Sequence, residues 1–187
     1  LTATATSGLT AFTFSTSSAA SICTVATNQL TIVGVGTCAL TATQAGNGTF
    51  ASASANASVV INQATQTLAF TSTAPTAATI GGATYTPTAS GGASGQPVVF
   101  TIAAGSASVC AINTGVVSFT GTGSCAINAN QAGNANYSAA SQITQTFAVG
   151  LTPQTVTFAP ATPVTFGVAP ITLTATATSG LTAFTFS

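Results

Sequence analysis

The sequence lacks every side chain that carries a full charge: its 187 residues include no Lys, Arg, Asp, Glu or His. An ordinary soluble domain is about 25% charged. Enzymes that move protons rely on such groups, and a Ser or Thr nucleophile needs a neighbouring base. Only Cys and Tyr remain as titratable side chains. The composition therefore predicts a protein that is not an enzyme and has no catalytic residue.

The same absence argues against ions and polyanions as ligands. Calcium and magnesium sites are built around carboxylates, and zinc sites around Cys, His or carboxylate. Nucleic acids and anionic lipids are held by Lys and Arg. We therefore expect no metal site, no cofactor and no nucleic-acid partner.

Long hydrophobic runs, Trp and Met are also missing. A helix that spans a bilayer needs about 20 consecutive apolar residues, so no membrane insertion is expected. No signal peptide is visible, and because Leu1 lies in mid-pattern we expect any export signal outside the printed sequence. The chain has a mean hydropathy of +0.60 and 11 Phe residues. That is enough for a packed core, and the many Thr, Val and Phe residues favour β-structure.

The chain repeats itself at two scales. Residues 1–15 and 173–187 both read LTATATSGLTAFTFS, an offset of 172 positions. Within that period, SICTVATNQLTIVGVGTCALTATQAGN corresponds to SVCAINTGVVSFTGTGSCAINANQAGN at an offset of 87, and QTLAF at 66–70 corresponds to QTVTF at 154–158 at an offset of 88. Repeats of this kind indicate stacked or tandem domains. The unit is therefore a domain of about 80–90 residues, and two diverged units form a 172-residue super-repeat.

These offsets predict three segments. Residues 1–62 form a domain that lacks its first strand, residues 63–152 form a complete domain, and residues 153–187 supply the first strands of a further repeat. The chain then corresponds to a window from a longer tandem array. Two routes complete the first domain: the polypeptide continues covalently, or a neighbouring copy donates the strand. The sequence leaves both open.

Alternation with a period of two predicts about seven short strands per unit, separated by Gly, Pro, Asn and Ser turns, and almost no helix. For the first unit the predicted strands are Gln154–Phe158, Ile171–Thr178 (and its copy Leu1–Thr6), Ala11–Thr16, Ser21–Thr24, Leu30–Val33, Cys38–Thr43 and Ser58–Asn62. For the second they are Gln66–Phe70, Ala83–Thr88, Val98–Ile102, Ser108–Ile112, Val116–Phe119, Cys125–Asn130 and Ile143–Val149. The pattern predicts an all-β fold of two-sheet sandwiches.

The four cysteines occur as two pairs with the same separation of 15 residues. One disulfide within each repeat fits this spacing best, Cys23–Cys38 and Cys110–Cys125. A zinc site would need all four sulfurs from two domains to converge, and free thiols in a reducing compartment are the other alternative. Disulfides imply export to an oxidising compartment.

Two stretches resemble the end of bacterial immunoglobulin-like repeats: GTCALTATQAGNGTFASA at 36–53 and GSCAINANQAGNANYSAA at 123–140. Such repeats occur in large surface and secreted proteins, often as adhesin stalks. The resemblance implies tandem immunoglobulin-like β-sandwiches, a bacterial cell-surface or extracellular location and a scaffolding role without catalytic residues. The lack of acidic residues is a departure, so calcium-stiffened linkers are not expected.

Several motifs have both a structural and a functional interpretation. The Gln-Ala-Gly-Asn segments at 44–47 and 131–134 are predicted to be turns rather than ligand loops. Sequons begin at Asn47, Asn56 and Asn136, and in Asn- and Ser-rich text we expect them to be fortuitous. Phenylalanines that alternate along strands are predicted to be core residues rather than sugar-stacking platforms: Phe12, Phe14, Phe70, Phe100 and Phe158. The Thr-x-Thr runs at 2–6 and 174–178 lack the short repeat of an ice-binding solenoid.

The missing charge leads to a hypothesis about function. Net charge normally keeps proteins apart, and Lys or other charges normally guard sheet edges. Without either, identical copies are expected to associate end to end, by strand donation or lateral packing, into an extracellular filament or sheath that is nearly indifferent to pH and salt. The alternatives are the stalk of an adhesin and, from another class, a carbohydrate-binding module.

Overall fold

A computed structural model gives the fold and describes residues 1–159 and 163–186. Strands, several of them with alternating half-buried and exposed residues, are the main regular structure in these ranges, and the helical structure in them is one 3-10 turn at Ala104–Ser106. The predicted all-β sandwich class is confirmed. No helix among the described residues is long and apolar enough to cross a bilayer.

Residues 12–61 form what we call the open sandwich. Its strands are β1 (Phe12–Thr16), β2 (Cys23–Ala26), β3 (Gln29–Ile32), β4 (Gly36–Gln44) and β5 (Ala53–Ile61). One layer is the antiparallel sheet β1-β4-β5 and the other is the hairpin β2-β3. The outer edge of β5 has no strand partner among the described residues.

Residues 69–150 form the closed sandwich. Its strands are β6 (Ala69–Phe70), β7 (Ala78–Thr79), β8 (Ala89–Ser90), β9 (Val98–Ile102), β10 (Cys110–Asn113), β11 (Val116–Phe119), β12 (Gly123–Gln131) and β13 (Ile143–Gly150). One sheet has the order β7-β13-β12-β9, with β7 parallel to β13. The facing layer holds the pairs β6-β8 and β10-β11, which a backbone bridge between Tyr85 and Val117 connects. This is the two-layer arrangement of an immunoglobulin-like sandwich.

The two sandwiches share one framework. Phe14 pairs with Ala42 in the open sandwich, as Phe100 pairs with Ala129 in the closed one. Strands β1 to β5 thus correspond to β9 to β13. The open sandwich has no counterpart of β6, β7 or β8 within residues 12–61.

A third group of strands lies at the C-terminal side. Strands β14 (Val156–Phe158) and β15 (Ala175–Ala177) pair antiparallel, like β6 and β8. Their register is shifted by two residues, so that Phe158 lies opposite Ala175 rather than Ala177. Ala175 supplies a backbone N–H where the corresponding Pro87 has none, so this shifted pairing is compatible with a ladder.

Some strand predictions were wrong in detail. Leu1–Thr6 forms no strand, because the β6-type strand on which a ladder would form is absent beside it. In the segment predicted as Ala83–Thr88, only Tyr85 makes a bridge and β8 begins after Pro87. The two-residue strand β7 was missed, while the other strands overlap their predicted ranges. All ladder pairings join strands within 12–61, 69–150 or 156–177, and the unit bounds after residues 62 and 152 stay a prediction.

Candidate assembly interface

The two cysteine pairs lie at the centre of the sandwiches as disulfides. Cys23 and Cys38 join β2 to β4, and Cys110 and Cys125 join β10 to β12. All four residues are at most 1% exposed. Each disulfide therefore links the two layers of its sandwich. In the described part of the chain no cysteine is free, and no group of His, Cys, Asp and Glu could hold a metal ion.

The Gln-Ala-Gly-Asn segments form turns held by their own asparagine. Asn134 Oδ1 accepts hydrogen bonds from the backbone N–H groups of Asn136 and Tyr137 at 2.8 and 2.9 Å. Asn47 does the same for the corresponding positions of the open sandwich. The preceding Gly133 approaches the turn so closely that a Cβ would lie 2.2 Å from Tyr137 O. These side chains are used to close the turn, which is the structural interpretation.

The glutamines of the same motif hold the start of a neighbouring strand. Gln131 is 4% exposed; it accepts a bond from Gly92 N at 2.7 Å and donates one to Gln96 O at 2.6 Å, just before β9. Gln44 donates to Ala11 O before β1 at 3.4 Å. Among the described residues no buried side-chain N or O atom lacks a partner. The motif therefore has its hydrogen bonds satisfied within the fold.

Aromatic packing differs between the sandwiches. In the closed sandwich Phe70 of one layer packs on Phe100 of the other, with ring centroids 5.9 Å apart. In the open sandwich Phe14, which corresponds to Phe100, has one aromatic neighbour among the described residues, Phe12 of the same strand at 6.5 Å. Phe158 packs on Phe186 and stays 47% exposed. A partner like Phe70 is thus missing from the open sandwich.

The two remaining sequon asparagines make hydrogen bonds of their own. Asn56 Oδ1 accepts from Thr41 on the neighbouring strand β4 at 2.9 Å. Asn136 Oδ1 accepts from Val35 N of the open sandwich at 3.1 Å.

The Thr-x-Thr runs lie on an irregular segment at 2–6 and around the short strand β15.

The inner face of the open sandwich is exposed where the closed one is covered. Ile32 is 50% exposed, whereas the corresponding Phe119 is 4% exposed. Val59 is 37% exposed, whereas the corresponding Phe147 is 8% exposed. In the closed sandwich Tyr85 lies edge-on to Phe147 at 5.7 Å, and Ala78 belongs to the same core. The covering residues thus come from the segment around β7 and β8.

Two adjoining grooves lie beside β1 of the open sandwich, and neither is lined by Ile32 or Val59. One of about 390 Å³ lies against Phe12, Phe14 and Leu1, and the other, of about 180 Å³, continues between Phe14 and Leu40. Both are lined by apolar and Thr or Asn side chains without charge. We call them together the acceptor groove. Its surface mixes apolar and uncharged polar groups, and its smaller part reaches β5 at residues 55–57.

Large apolar side chains are exposed in the C-terminal stretch. Phe166 is fully exposed, and other large apolar side chains around it are at least 42% exposed: Val164, Val168, Ile171 and Leu173. At the offset of 88, residues 163–173 correspond to 75–85, which cover the closed sandwich. We call residues 163–173 the donor stretch. The repeat offsets predicted that residues 1–62 lack a first strand and that residues 153–187 repeat the first strands of a unit, but neither the groove nor the exposure of residues 163–173 was predicted.

Comparisons with known proteins add a fold neighbour. No protein-family model matches the sequence, and no curated protein sequence matches it. Among solved structures, the crystal structure of Drosophila N-cadherin EC1-4 is similar, with a TM-score of 0.35 and 12% identity. The match covers 78% of this chain and 44% of that one, so the chain spans less than half of the neighbour's length.

Proposed function

We propose that this chain is a structural segment of an extracellular filament or sheath built from tandem immunoglobulin-like repeats. The observation that carries the proposal is repetition of one framework along the chain: β1 pairs with β4 as β9 pairs with β12, and β14 pairs with β15 as β6 pairs with β8. A protein of this kind can add copies of itself in line without another component. The disulfides favour an oxidising location, and the bacterial cell surface is the proposed one.

The uncharged surface supports this role. No like-charge repulsion opposes contact between copies, and the exposed edge of β5 carries no charged residue that would block pairing. Nothing in the composition supplies a base, an acid or a metal ligand set beyond the four disulfide cysteines. We therefore propose a role in assembly rather than catalysis.

A second candidate, the stalk of an adhesin, is favoured by the junction between the sandwiches. Val35 N donates to Asn136 Oδ1 at 3.1 Å, and Gln63 Nε2 donates to Asn134 O at 2.8 Å. A backbone bridge between Ala64 and Tyr137 adds to these contacts. A junction with several hydrogen bonds would stiffen a string of domains that spaces a binding head from the cell.

Immunogold electron microscopy of cells that express the chain tests the proposal. An antibody against the closed sandwich should label ordered filaments or a continuous sheath outside the cell, and label should follow the filaments when they are sheared off. The control is a strain in which the gene is deleted. Label on isolated flexible strings would favour the adhesin stalk instead, and label confined to the cell interior would refute both roles.

A further inference from the structure

We infer that Asn47 is a site of spontaneous covalent modification, at which the backbone nitrogen of Gly48 attacks the side-chain amide and converts it to a carboxylic acid. The chemistry is succinimide formation followed by hydrolysis, and water is the co-reactant. Asn47-Gly48 is the only Asn-Gly pair in the sequence. Because glycine has no Cβ, its backbone nitrogen approaches the preceding side chain with the least hindrance. The inference does not depend on the proposed function.

The turn between β4 and β5 activates this amide. Asn47 Oδ1 accepts hydrogen bonds from the backbone N–H groups of Thr49 and Phe50, both at 2.9 Å. These bonds fold the side chain over its own following backbone, which is the side on which the Gly48 nitrogen lies. When that nitrogen adds to Cγ, negative charge develops on Oδ1, and fixed N–H donors stabilise such charge as in an oxyanion hole.

The attacking group and the amide are both accessible. Within the part of the chain that the structure describes, the Gly48 N–H donates no hydrogen bond, and Asn47 and Gly48 are exposed. In the corresponding turn of the closed sandwich, Asn134 and Ala135 stay exposed although Asn136 contacts the open sandwich. A domain packed beside such a turn is therefore compatible with access of water to the amide.

The reaction balances without a base from the chain. The Gly48 nitrogen bonds to Asn47 Cγ and gives its proton to solvent, while the Cγ–Nδ2 bond breaks and the amide nitrogen leaves as ammonia with a proton from solvent. Water then opens the cyclic imide: cleavage at Cγ gives aspartate, and cleavage at the main-chain carbonyl gives isoaspartate. The net change converts one amide and one water into one carboxylic acid and one ammonia, with no change of oxidation state.

The product is a group that the chain otherwise lacks. The sequence has no Asp or Glu and a formal net charge of +0, so each conversion adds one negative charge beside the end of β4. An aspartate at this position accepts the same two N–H groups in stronger, charge-assisted hydrogen bonds. Isoaspartate instead lengthens the main chain in the turn, next to the ladder pair Gln44–Ala53. Older copies of the chain thus become charged at one defined site.

Incubation of the full chain in heavy-oxygen water tests the inference. Mass spectrometry of chymotryptic peptides locates each asparagine that has become an acid, and the incorporated heavy oxygen identifies conversion during the incubation. We expect Asn47 to convert at least tenfold faster than Asn134. Isoelectric focusing should show a more acidic band that grows at the same rate. Conversion of Asn47 no faster than that of Asn134 would overturn the inference.

Gly48→Ala is the matched variant. A Cβ at Gly48 would meet nothing within 4 Å, and Gly48 is not among the glycines with positive φ, so alanine fits the fold. Conversion at Asn47 should fall at least tenfold in this variant. The reverse change in the other turn, Ala135→Gly, should raise conversion at Asn134. With the fold of both variants verified by circular dichroism, no fall in the first or no rise in the second would refute the role of glycine.

A short peptide separates the effect of the turn from that of the dipeptide. The segment Ala45–Ala51 contains the Asn-Gly pair without the fold. Because the turn supplies the two N–H donors, the folded chain should convert at least as fast as this peptide under the same conditions. Slower conversion in the folded chain would show that the turn protects the amide, and the inference would fall.

Discussion

The open and closed sandwiches are two versions of one framework that differ in whether three short strands cover it. They share strand registers, a disulfide between the layers and a Gln-Ala-Gly-Asn turn. The closed sandwich has ten buried apolar residues in its core cluster, whereas the open one has three: Cys23, Cys38 and Leu40. The comparison shows that the β6 to β8 segment, although only six residues of it form strands, decides how much of the core is buried.

The largest expected effect comes from truncating equivalent side chains on β13 and β5. Phe147 packs edge-on against both Tyr85 and Phe119 at 5.7 Å, so Phe147→Ala should lower the free energy of unfolding of the closed sandwich by about 3–5 kcal/mol. Because Val59 is partly exposed, Val59→Ala should lower the free energy of unfolding of the open sandwich by less than about 1 kcal/mol. Urea titration followed by hydrogen exchange in each sandwich measures both. Equal losses would mean that the open face is already covered in solution.

The next effect concerns the disulfides. Removal of Cys110–Cys125 by double substitution to Ala should cost the closed sandwich about 3 kcal/mol, and the rest of its core should still hold it folded. The same change at Cys23–Cys38 takes away most of the small core and should unfold the open sandwich. Limited chymotrypsin digestion distinguishes the outcomes, because Phe12 and Phe14 become cleavable only if the open sandwich unfolds. Resistance of both variants would contradict the difference in core size.

The smallest effect is at a hydrogen bond that both sandwiches make. Ser106 Oγ donates to Ser124 O at 2.9 Å and accepts from Ala126 N at 3.0 Å; Ser18 does the same with Thr37 and Ala39. Ser106 is 5% exposed and Ser18 is only half-buried. Ser106→Ala should therefore cost about 1–3 kcal/mol and Ser18→Ala less than about 1 kcal/mol. Thermal or urea unfolding of the two variants checks the order, and a larger loss at Ser18 would reverse it.

Much of the fold could be predicted because alternation and repetition are strong signals. The long strands β4 and β12 each contain a cysteine, alternate apolar and polar residues, and lead into the same turn motif. The sequence therefore predicted both that they are strands and that they correspond to each other. The two-residue strand β7 was not, since a pair such as Ala78–Thr79 has no period to detect. Its pairing depends on where β13 lies in space, which the local sequence does not encode.

The candidate interface was predictable in part. The offsets predicted that residues 153–187 repeat the first strands of a unit and that residues 1–62 lack one, but they gave no measure of which side chains stay exposed. The segment Leu1–Thr6 has a strand pattern and yet forms no strand, because a ladder requires a neighbour as well as a propensity. The offsets did predict that residues 1–62 lack their first strand, so the error was to predict a strand at Leu1–Thr6 without its ladder partner.

The disulfides have a mechanical consequence for a chain under tension. Each one bridges a separation of 15 residues, and extended polypeptide spans about 3.3–3.6 Å per residue. If a pulling force unravels either sandwich, roughly 50 Å of contour stays locked behind its covalent bridge. Each unfolded sandwich would thus add less length to the polymer than its number of residues allows. The two cysteines of each sandwich would also stay close together, which favours refolding.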